Sequence, residues 1–321
     1  MEYVGIHTQK SRNNAKSMLL LVLFPVLVLV LTLVFLFIFF QMGMDGEYQS
    51  QYDYNARELT WSAFLVALPW VLGAVALWFG IAYFSNTAII RKRTGARPLD
   101  RKNNKRVYNL VENLCMSQGM PMPKVNVIRD SSLNAYASGI NRNSYTVTLT
   151  AGIIEKLDDQ ELEAVIAHEL SHIRNHDVHL LITSIVFVGI FAMTAQISLR
   201  MMRHMPRGNG KKGGGIIVAL LLAALLAGLG YLFSSLMRFA ISRKREFLAD
   251  AGSAEMTKNP AALASALRKI SDNPRVEAVS RDDVAQLFIE HPLDKKKSKG
   301  FSSLFATHPP IDKRIEVLEQ F

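Results

Sequence analysis

The chain has 321 residues, half of them apolar, and its 37 Lys and Arg against 27 Asp and Glu give a net charge of +10. Its one cysteine, Cys115, excludes an internal disulfide bond and fits a reducing compartment for most of the chain. No nucleic-acid-binding motif accompanies the charge, so no nucleic-acid partner is expected. We attribute the basic excess to loops beside anionic lipid.

Four stretches without charged residues divide the chain, and each has the ~20 residues that a membrane-crossing helix needs. They cover residues 18–40, 61–90, 180–199 and 215–237. Pro25 and Pro69 lie inside the first two, which transmembrane helices tolerate better than soluble ones. The first stretch is too long for the core of a signal peptide and lacks a small-residue cleavage site. The sequence therefore predicts an integral membrane protein with four hydrophobic helices.

The distribution of lysine and arginine predicts the orientation of these stretches. The connector at 41–60 carries four acidic residues and one basic residue, whereas residues 91–106 carry eight basic residues. The positive-inside rule therefore places the N-terminus and the chain after residue 90 in the cytoplasm of a bacterial-type cell. The connector at 200–215 is basic and fits this rule poorly. The last two stretches either cross the bilayer fully, which their length favours, or form a hairpin that enters it only partly.

The region before the third stretch has the pattern of a small α/β domain. Helical spacing predicts a helix over 101–118, and alternation of apolar residues predicts a small antiparallel sheet. Its strands are expected at 124–129, 134–138 and 145–150, with a turn at 141–143. Asp158 or Asp159 is expected to cap the next helix, which should run on into the third stretch.

Further helices are predicted after the fourth stretch, so the fold is mainly α. The pair Asn259-Pro260 supplies a helix cap followed by a proline at the first helical position. The helices are expected at 242–256, 260–270, 282–290 and 311–319. The lysines at 295–299 are interpreted as a solvated loop.

The motif His168-Glu169-Leu170-Ser171-His172 lies inside the helix capped near residue 158. Positions four apart lie on one face of a helix, about 40° apart and roughly 6 Å along the axis. Two imidazoles with this spacing can bind one metal ion, and the glutamate between them can reach a water on that metal. Such a site makes a nucleophile that can cut a peptide bond near neutral pH.

A hydrolytic zinc site takes three protein ligands, so a third ligand is needed. The position ten residues after the first histidine is Val178, and His176 lies another ~6 Å along a straight helix beyond His172. A distant carboxylate is the better candidate, and Glu246 in the segment REFLAD is the one we select. Asp250, four residues on, can accept the ring N–H of a ligand histidine from the second coordination shell.

The motifs HELSH and EFLAD together resemble the HtpX-type membrane zinc metalloproteases, which are relatives of the CaaX prenyl proteases. The likeness spans nearly the whole chain, including the four hydrophobic stretches. Further matching segments are VYNLVENLCMSQGMPMPKV, LNAYASG, SRKREFLADAGSAEM and THPPIDKRIEVL. The resemblance implies one Zn²⁺ per chain, bound by His168, His172 and Glu246, with Glu169 as general base.

Two further roles are implied by the resemblance alone. The segment Asn134, Ala135, Tyr136 and Ala137 resembles the family's strand beside the active site, whose exposed edge can pair with a substrate peptide. The residues around it, Leu133 before and Ser138 after, depart from the family's usual Pro and Thr, so no side-chain preference is predicted. The segment HPP…R implies His308, or alternatively Arg314, as the group that stabilises the oxyanion.

These inferences give a domain layout with a gluzincin-like cytoplasmic metalloprotease domain built from two parts. Residues 91–178 supply the sheet and the HExxH helix, and residues 241–321 supply the third zinc ligand and the C-terminal helices. Residues 1–90 form a membrane hairpin with spans at about 18–40 and 61–84. Residues 179–240 form a second hairpin, with spans at about 180–199 and 215–237.

The sequence predicts a membrane-bound zinc endopeptidase that cuts polypeptides on the cytoplasmic side of the inner membrane. The resemblance implies quality control of misfolded membrane proteins and a part in stress response. The alternatives are a specialised processing protease for a lipidated or signal substrate, a zinc-binding membrane adaptor without catalysis, and a metal transporter. A transporter needs ionisable groups at mid-bilayer, and the four stretches contain none. An adaptor would not need Glu169.

Overall fold

The computed structural model describes residues 6–43, 56–204, 211–273, 276, 288–289 and 309–321. These residues fall into two compact units, each described by itself below. One unit contains residues 84–182 and 238–321 with the N-terminal end of the chain, and the other contains residues 18–83 and 183–237.

Four long helices cover the four apolar stretches. They are α1 (Ile6–Gly43), α2 (Ala56–Thr94), α6 (Asp177–His204) and α7 (Lys211–Thr257). Within the described residues, two segments are long and apolar enough to cross a membrane by length and composition, Leu21–Gln41 of α1 and Ala56–Ser85 of α2. The apolar part of α7 is shorter, Ala219–Leu232. The third and fourth crossings therefore stay predictions.

A four-stranded sheet lies in the unit that carries the HExxH helix. Its strands are β1 (Arg97–Pro98), β2 (Lys124–Ile128), β3 (Ala135–Ser138) and β4 (Thr146–Thr150), in the order β1-β2-β4-β3. The expectation of an antiparallel sheet is wrong in one pairing, because β2 and β4 are parallel. After β2 the chain crosses to the far edge of the sheet, where it forms β3. A turn then leads into β4, which lies between β2 and β3 and is antiparallel to β3. All five residues of β4 are buried, as in a central strand covered on both faces.

Short helices surround this sheet. They are α3 (Lys105–Ser117), α4 (Ala151–Lys156), α5 (Asp159–Arg174), α8 (Pro260–Asp272) and α9 (Ile311–Leu318). The cap and proline expected at residues 259–260 begin α8 as predicted, with the Asn259 side chain accepting from the Ala262 N–H. The helix expected at 282–290 lies outside the described residues except at Phe288 and Ile289. Phe288 forms an isolated β-bridge there rather than a helical turn.

The metal-motif helix α5 begins with a capping box. The Asp158 side chain accepts from the Glu161 N–H, and Glu161 accepts from the Asp158 N–H. The expectation that this helix runs on into the third stretch is wrong. It ends at Arg174, and His176 has a φ of 60°, so the backbone turns in the left-handed region before α6 begins.

Small residues let α7 pack closely against α5. Ser253 Oγ donates to the Ala164 carbonyl at 2.7 Å, and Ala249 is fully buried. A Cβ placed on Gly252 would overlap the Ser171 hydroxyl and lie 3.0 Å from the Ser171 Cβ. The absence of a side chain at this position therefore sets how near the two helices approach.

We predict that Gly252→Ala destabilises the zinc-free protein by about 1–3 kcal/mol, because the added methyl forces α5 and α7 apart. The midpoint of thermal unfolding in detergent measures this loss. Gly228→Ala on the same helix is the matched control, since no described atom lies within 4 Å of its Cβ position. Equal midpoints for the two variants would contradict the packing argument.

Candidate metal and active site

The two motif histidines face each other from successive turns of α5. His168 Nε2 and His172 Nε2 are 3.2 Å apart, and their rings are nearly perpendicular, at 89°. The His168 side chain is fully buried, whereas 16% of the His172 side chain is exposed. The pair of imidazoles is therefore reached by solvent from the His172 side.

Glu246 reaches both imidazoles from α7. Its Oε2 lies 3.7 Å from His168 Nε2, and its Oε1 lies 3.7 Å from His172 Nε2. One possible ligand atom from each of the three residues lies within 4.8 Å of the others. The structure thus brings Glu246 to two histidines that precede it in the sequence by more than seventy positions.

These three residues fit a tetrahedral metal ion. Two ligands that each lie about 2.0–2.1 Å from such an ion are roughly 3.3 Å apart, close to the 3.2 and 3.7 Å observed here. Two imidazoles and a carboxylate are the donors of a hydrolytic zinc site. Glu169 adds a buried Oε2 that has no hydrogen-bond partner among the described residues. Such an oxygen suits a group that acts on a water beside the ion.

A carboxylate lies behind each histidine ring. Asp250 Oδ1 is 3.0 Å from His168 Nδ1, where the carboxylate can accept the ring N–H as its spacing from Glu246 suggested. Asp177 Oδ2 is 3.0 Å from His172 Nδ1. Sequence reasoning missed Asp177, because in a continuous helix a residue five positions on points about 140° away.

Arg314 of α9 lies fully buried beside the candidate metal ligands. Its guanidinium donates to both oxygens of Asp250, at 2.9 and 2.7 Å, and to the Ile289 carbonyl at 3.1 Å. Its Nη1 is also 3.5 Å from Glu246 Oε2. The sequence predicted Arg314 only as an alternative donor to the oxyanion. In the structure its guanidinium binds the Asp250 carboxylate, which in turn contacts the His168 ring.

Burial and neighbouring charges shift the pKa values in the site. Burial raises the pKa of Glu169 to about 7, against the opposing effect of the nearby His172. Burial also lowers the pKa of His168. For Asp250 burial favours the neutral acid, but the Arg314 guanidinium and the His168 hydrogen bond hold its pKa below the usual value.

His172 differs from His168 in this respect. Burial alone would lower its pKa, but the hydrogen bond that its Nδ1–H donates to Asp177 and the charge of Glu246 raise it to about 9. In the metal-free site both nitrogens of this ring are therefore protonated over the neutral pH range, and the ring is a cation. Metal binding must displace one of these protons, since a ligating imidazole is neutral.

The segment expected to border the site, Asn134 to Ala137, overlaps strand β3 (Ala135–Ser138), which lies against the HExxH helix α5. Its part in binding substrate stays a prediction. The Ala137 N–H donates to the Glu169 carboxylate. β3 is an edge strand, but the expectation that its edge is exposed is wrong: all four of its residues are buried. Ile289 N–H donates to the Ala135 carbonyl at 2.9 Å, so residues 288–289 already occupy part of this edge. The predicted oxyanion group His308 lies outside the described residues.

We predict that Asp250→Ala lowers the free energy of unfolding by about 3–5 kcal/mol, because it leaves the buried Arg314 guanidinium without the carboxylate it binds. Thermal unfolding of the zinc-free protein in detergent measures this. Glu319→Ala is the control, since it removes an ion pair with Arg268 in which both side chains are 53% exposed. That change is expected to cost about 0–1 kcal/mol. A similar loss for both variants would contradict the role given to Asp250.

The chain is similar to known proteases. Residues 101–321 match the profile described as "Peptidase family M48". The chain is 62% identical over 325 residues to "Protease HtpX homolog" of Bacteroides fragilis, with 100% of both chains covered. A protein of the same name from Streptococcus pneumoniae is 37% identical over 257 residues, or 77% of this chain and 85% of that protein. The crystal structure of S. mikatae Ste24p aligns with a TM-score of 0.47 and 20% identity, covering 89% of this chain and 62% of that one.

These similarities confirm the resemblance to HtpX-type proteases, and with it the reaction class of a metalloprotease, a hydrolase that uses a metal ion. The matched region contains the HExxH helix α5 and the segment of α7 that carries Glu246. The chain belongs to peptidase family M48.

Proposed function

We propose that this membrane metalloprotease is a zinc-dependent endopeptidase in which His168, His172 and Glu246 bind the metal and Glu169 is the general base. The observation that carries the proposal is the convergence of two imidazoles and a remote carboxylate beside a buried glutamate. Polypeptides are its substrates.

The residues around the metal position supply the proton transfers. When bound, zinc polarises the scissile carbonyl and lowers the pKa of water from about 15.7 to roughly 7. Glu169, with its pKa raised to about 7, takes a proton from the attacking water and delivers it to the leaving amine. The hydrogen bond from the Ala137 N–H orients the Glu169 carboxylate for both transfers. His308 is the proposed donor to the oxyanion, with Arg314 as the alternative.

Cleavage on the cytoplasmic side of a bacterial inner membrane is part of the proposal. It is supported by the eight basic residues at 91–106, against the acidic connector at 41–60. The resemblance of the HELSH and EFLAD motifs to HtpX-type proteases supports misfolded membrane proteins as the substrates, and quality control as the role.

We predict that Glu169→Gln binds zinc normally but cleaves unfolded casein about 10²–10⁴-fold more slowly, because an amide cannot accept the proton. Glu246→Ala is expected instead to lose most of its bound zinc. Metal analysis of the purified proteins and casein cleavage with and without chelator measure both effects.

Glu255→Ala is the matched control for the second variant, since it removes an exposed carboxylate from the same helix. It should keep both zinc and activity. A Glu169→Gln variant that cuts at the full rate would rule out the proposed mechanism. Zinc binding by the unaltered protein without any casein cleavage would favour the adaptor, and cleavage restricted to one lipidated or signal peptide would favour the processing protease.

Orientation is tested separately in intact cells. We predict that cysteines placed singly at Gln51 and Arg97, in a variant without Cys115, react differently with an impermeant maleimide added outside. Gln51 should be labelled and Arg97 protected, because the positive-inside rule retains the basic segment. The reverse labelling would refute the proposed orientation. Labelling at Lys211 decides whether the connector of the second hairpin is exported.

A further inference from the structure

The break between α5 and α6 has a structural effect beyond ending a helix. Asn175 caps α5, and His176 has a φ of 60°, a conformation that is uncommon for residues other than glycine. In an unbroken helix Asp177 would point about 140° away from His172. The left-handed residue instead turns the chain back, so that Asp177 begins α6 directly behind the His172 ring.

Asp177 contacts His172 through the nitrogen that does not face the metal position. Its Oδ2 is 3.0 Å from His172 Nδ1, while His172 Nε2 faces His168 and Glu246. Asp177 is 3% exposed, so its interaction with the ring is shielded from solvent. A carboxylate in this position fixes the ring rotation and places the proton on Nδ1, which leaves Nε2 with its lone pair available.

The turn is also attached to the helix that carries the third ligand. Arg245 Nη1 donates to the main-chain carbonyl of Asp177 at 3.1 Å, and Arg245 directly precedes Glu246. Arg245 is 7% exposed. This buried hydrogen bond therefore connects the backbone of Asp177, which contacts His172, to α7 at the position next to Glu246.

We propose that Asp177 is a positioning residue that orients His172 toward the metal, and that Arg245 holds the turn of Asp177 at the distance this requires. The inference rests on the zinc site of the proposed function. It explains why a left-handed, non-glycine residue stands immediately after the motif helix: without it the carboxylate could not reach the ring.

The test measures the zinc dissociation constant of the full chain in detergent, by competition with a chromophoric chelator. Asp177→Ala is expected to bind zinc 10–100-fold more weakly, as for other carboxylates that orient a ligating histidine. Asp177→Asn keeps an acceptor for the Nδ1 proton and should recover part of that loss. Asp159→Ala is the control, because its carboxylate is 72% exposed at the start of α5, and its zinc affinity should not change.

An Asp177→Ala variant with the zinc affinity of the unaltered protein would overturn the inference. Equal losses for the Ala and Asn variants would also overturn it, since they would reflect general loosening of the turn. These failures leave the proposed function intact, provided that the unaltered protein binds zinc and Glu169→Gln is inactive. Absence of zinc binding by the unaltered protein would instead contradict the proposed function itself.

Discussion

The close approach of α5 and α7 is the constraint on which the site depends. The two imidazoles belong to α5 and the Glu246 carboxylate belongs to α7. The distance between the imidazoles and this carboxylate is therefore set by how the two helix backbones pack. The Ser253 hydroxyl bound to the Ala164 carbonyl and the missing side chain at Gly252 fix that separation. The small residues where α5 and α7 cross thus determine the distance between the proposed metal ligands on the two helices.

The charges around the metal position are unbalanced in a way that suits a divalent cation. Among the buried side chains that the structure describes here, four carboxylates accompany two guanidinium groups. These are Glu169, Asp177, Glu246 and Asp250, with Arg245 and Arg314. When all six are ionised and both histidines are neutral, as metal ligands must be, the excess is two negative charges. Burial makes such an excess costly, and the raised pKa of Glu169 is one sign of that cost.

Local pattern predicted the parts of the site that depend on helical periodicity. The spacing of His168 and His172, and of Glu246 and Asp250, follows from residues four apart on one face. The aspartate cap of α5 and the asparagine cap and proline at the start of α8 were predicted for a similar reason, since they involve neighbours in sequence. Glu246 was selected because of the motif in which it lies. Its approach to the histidines is a tertiary contact, which helical periodicity cannot predict.

The errors arose where distant segments meet or where one residue breaks a pattern. Alternation shows which face of a strand is buried, but it does not show that β4 inserts between β2 and β3. The β-bridge between Tyr136 and Phe288 covers part of the β3 edge, which was expected to be exposed from the local sequence alone. Asp177 was missed because histidine indicates a left-handed conformation much less strongly than glycine does.

Arg314 lies 146 positions after His168, and this separation has a consequence for biosynthesis. A growing chain makes both motif histidines long before the residue that neutralises Asp250 leaves the ribosome. Until then Asp250 has no guanidinium against which to be buried, and the ring of His168 has no fixed support. The support that Arg314 gives to His168 through Asp250 can therefore form only after Arg314 has been synthesised, later than both motif histidines.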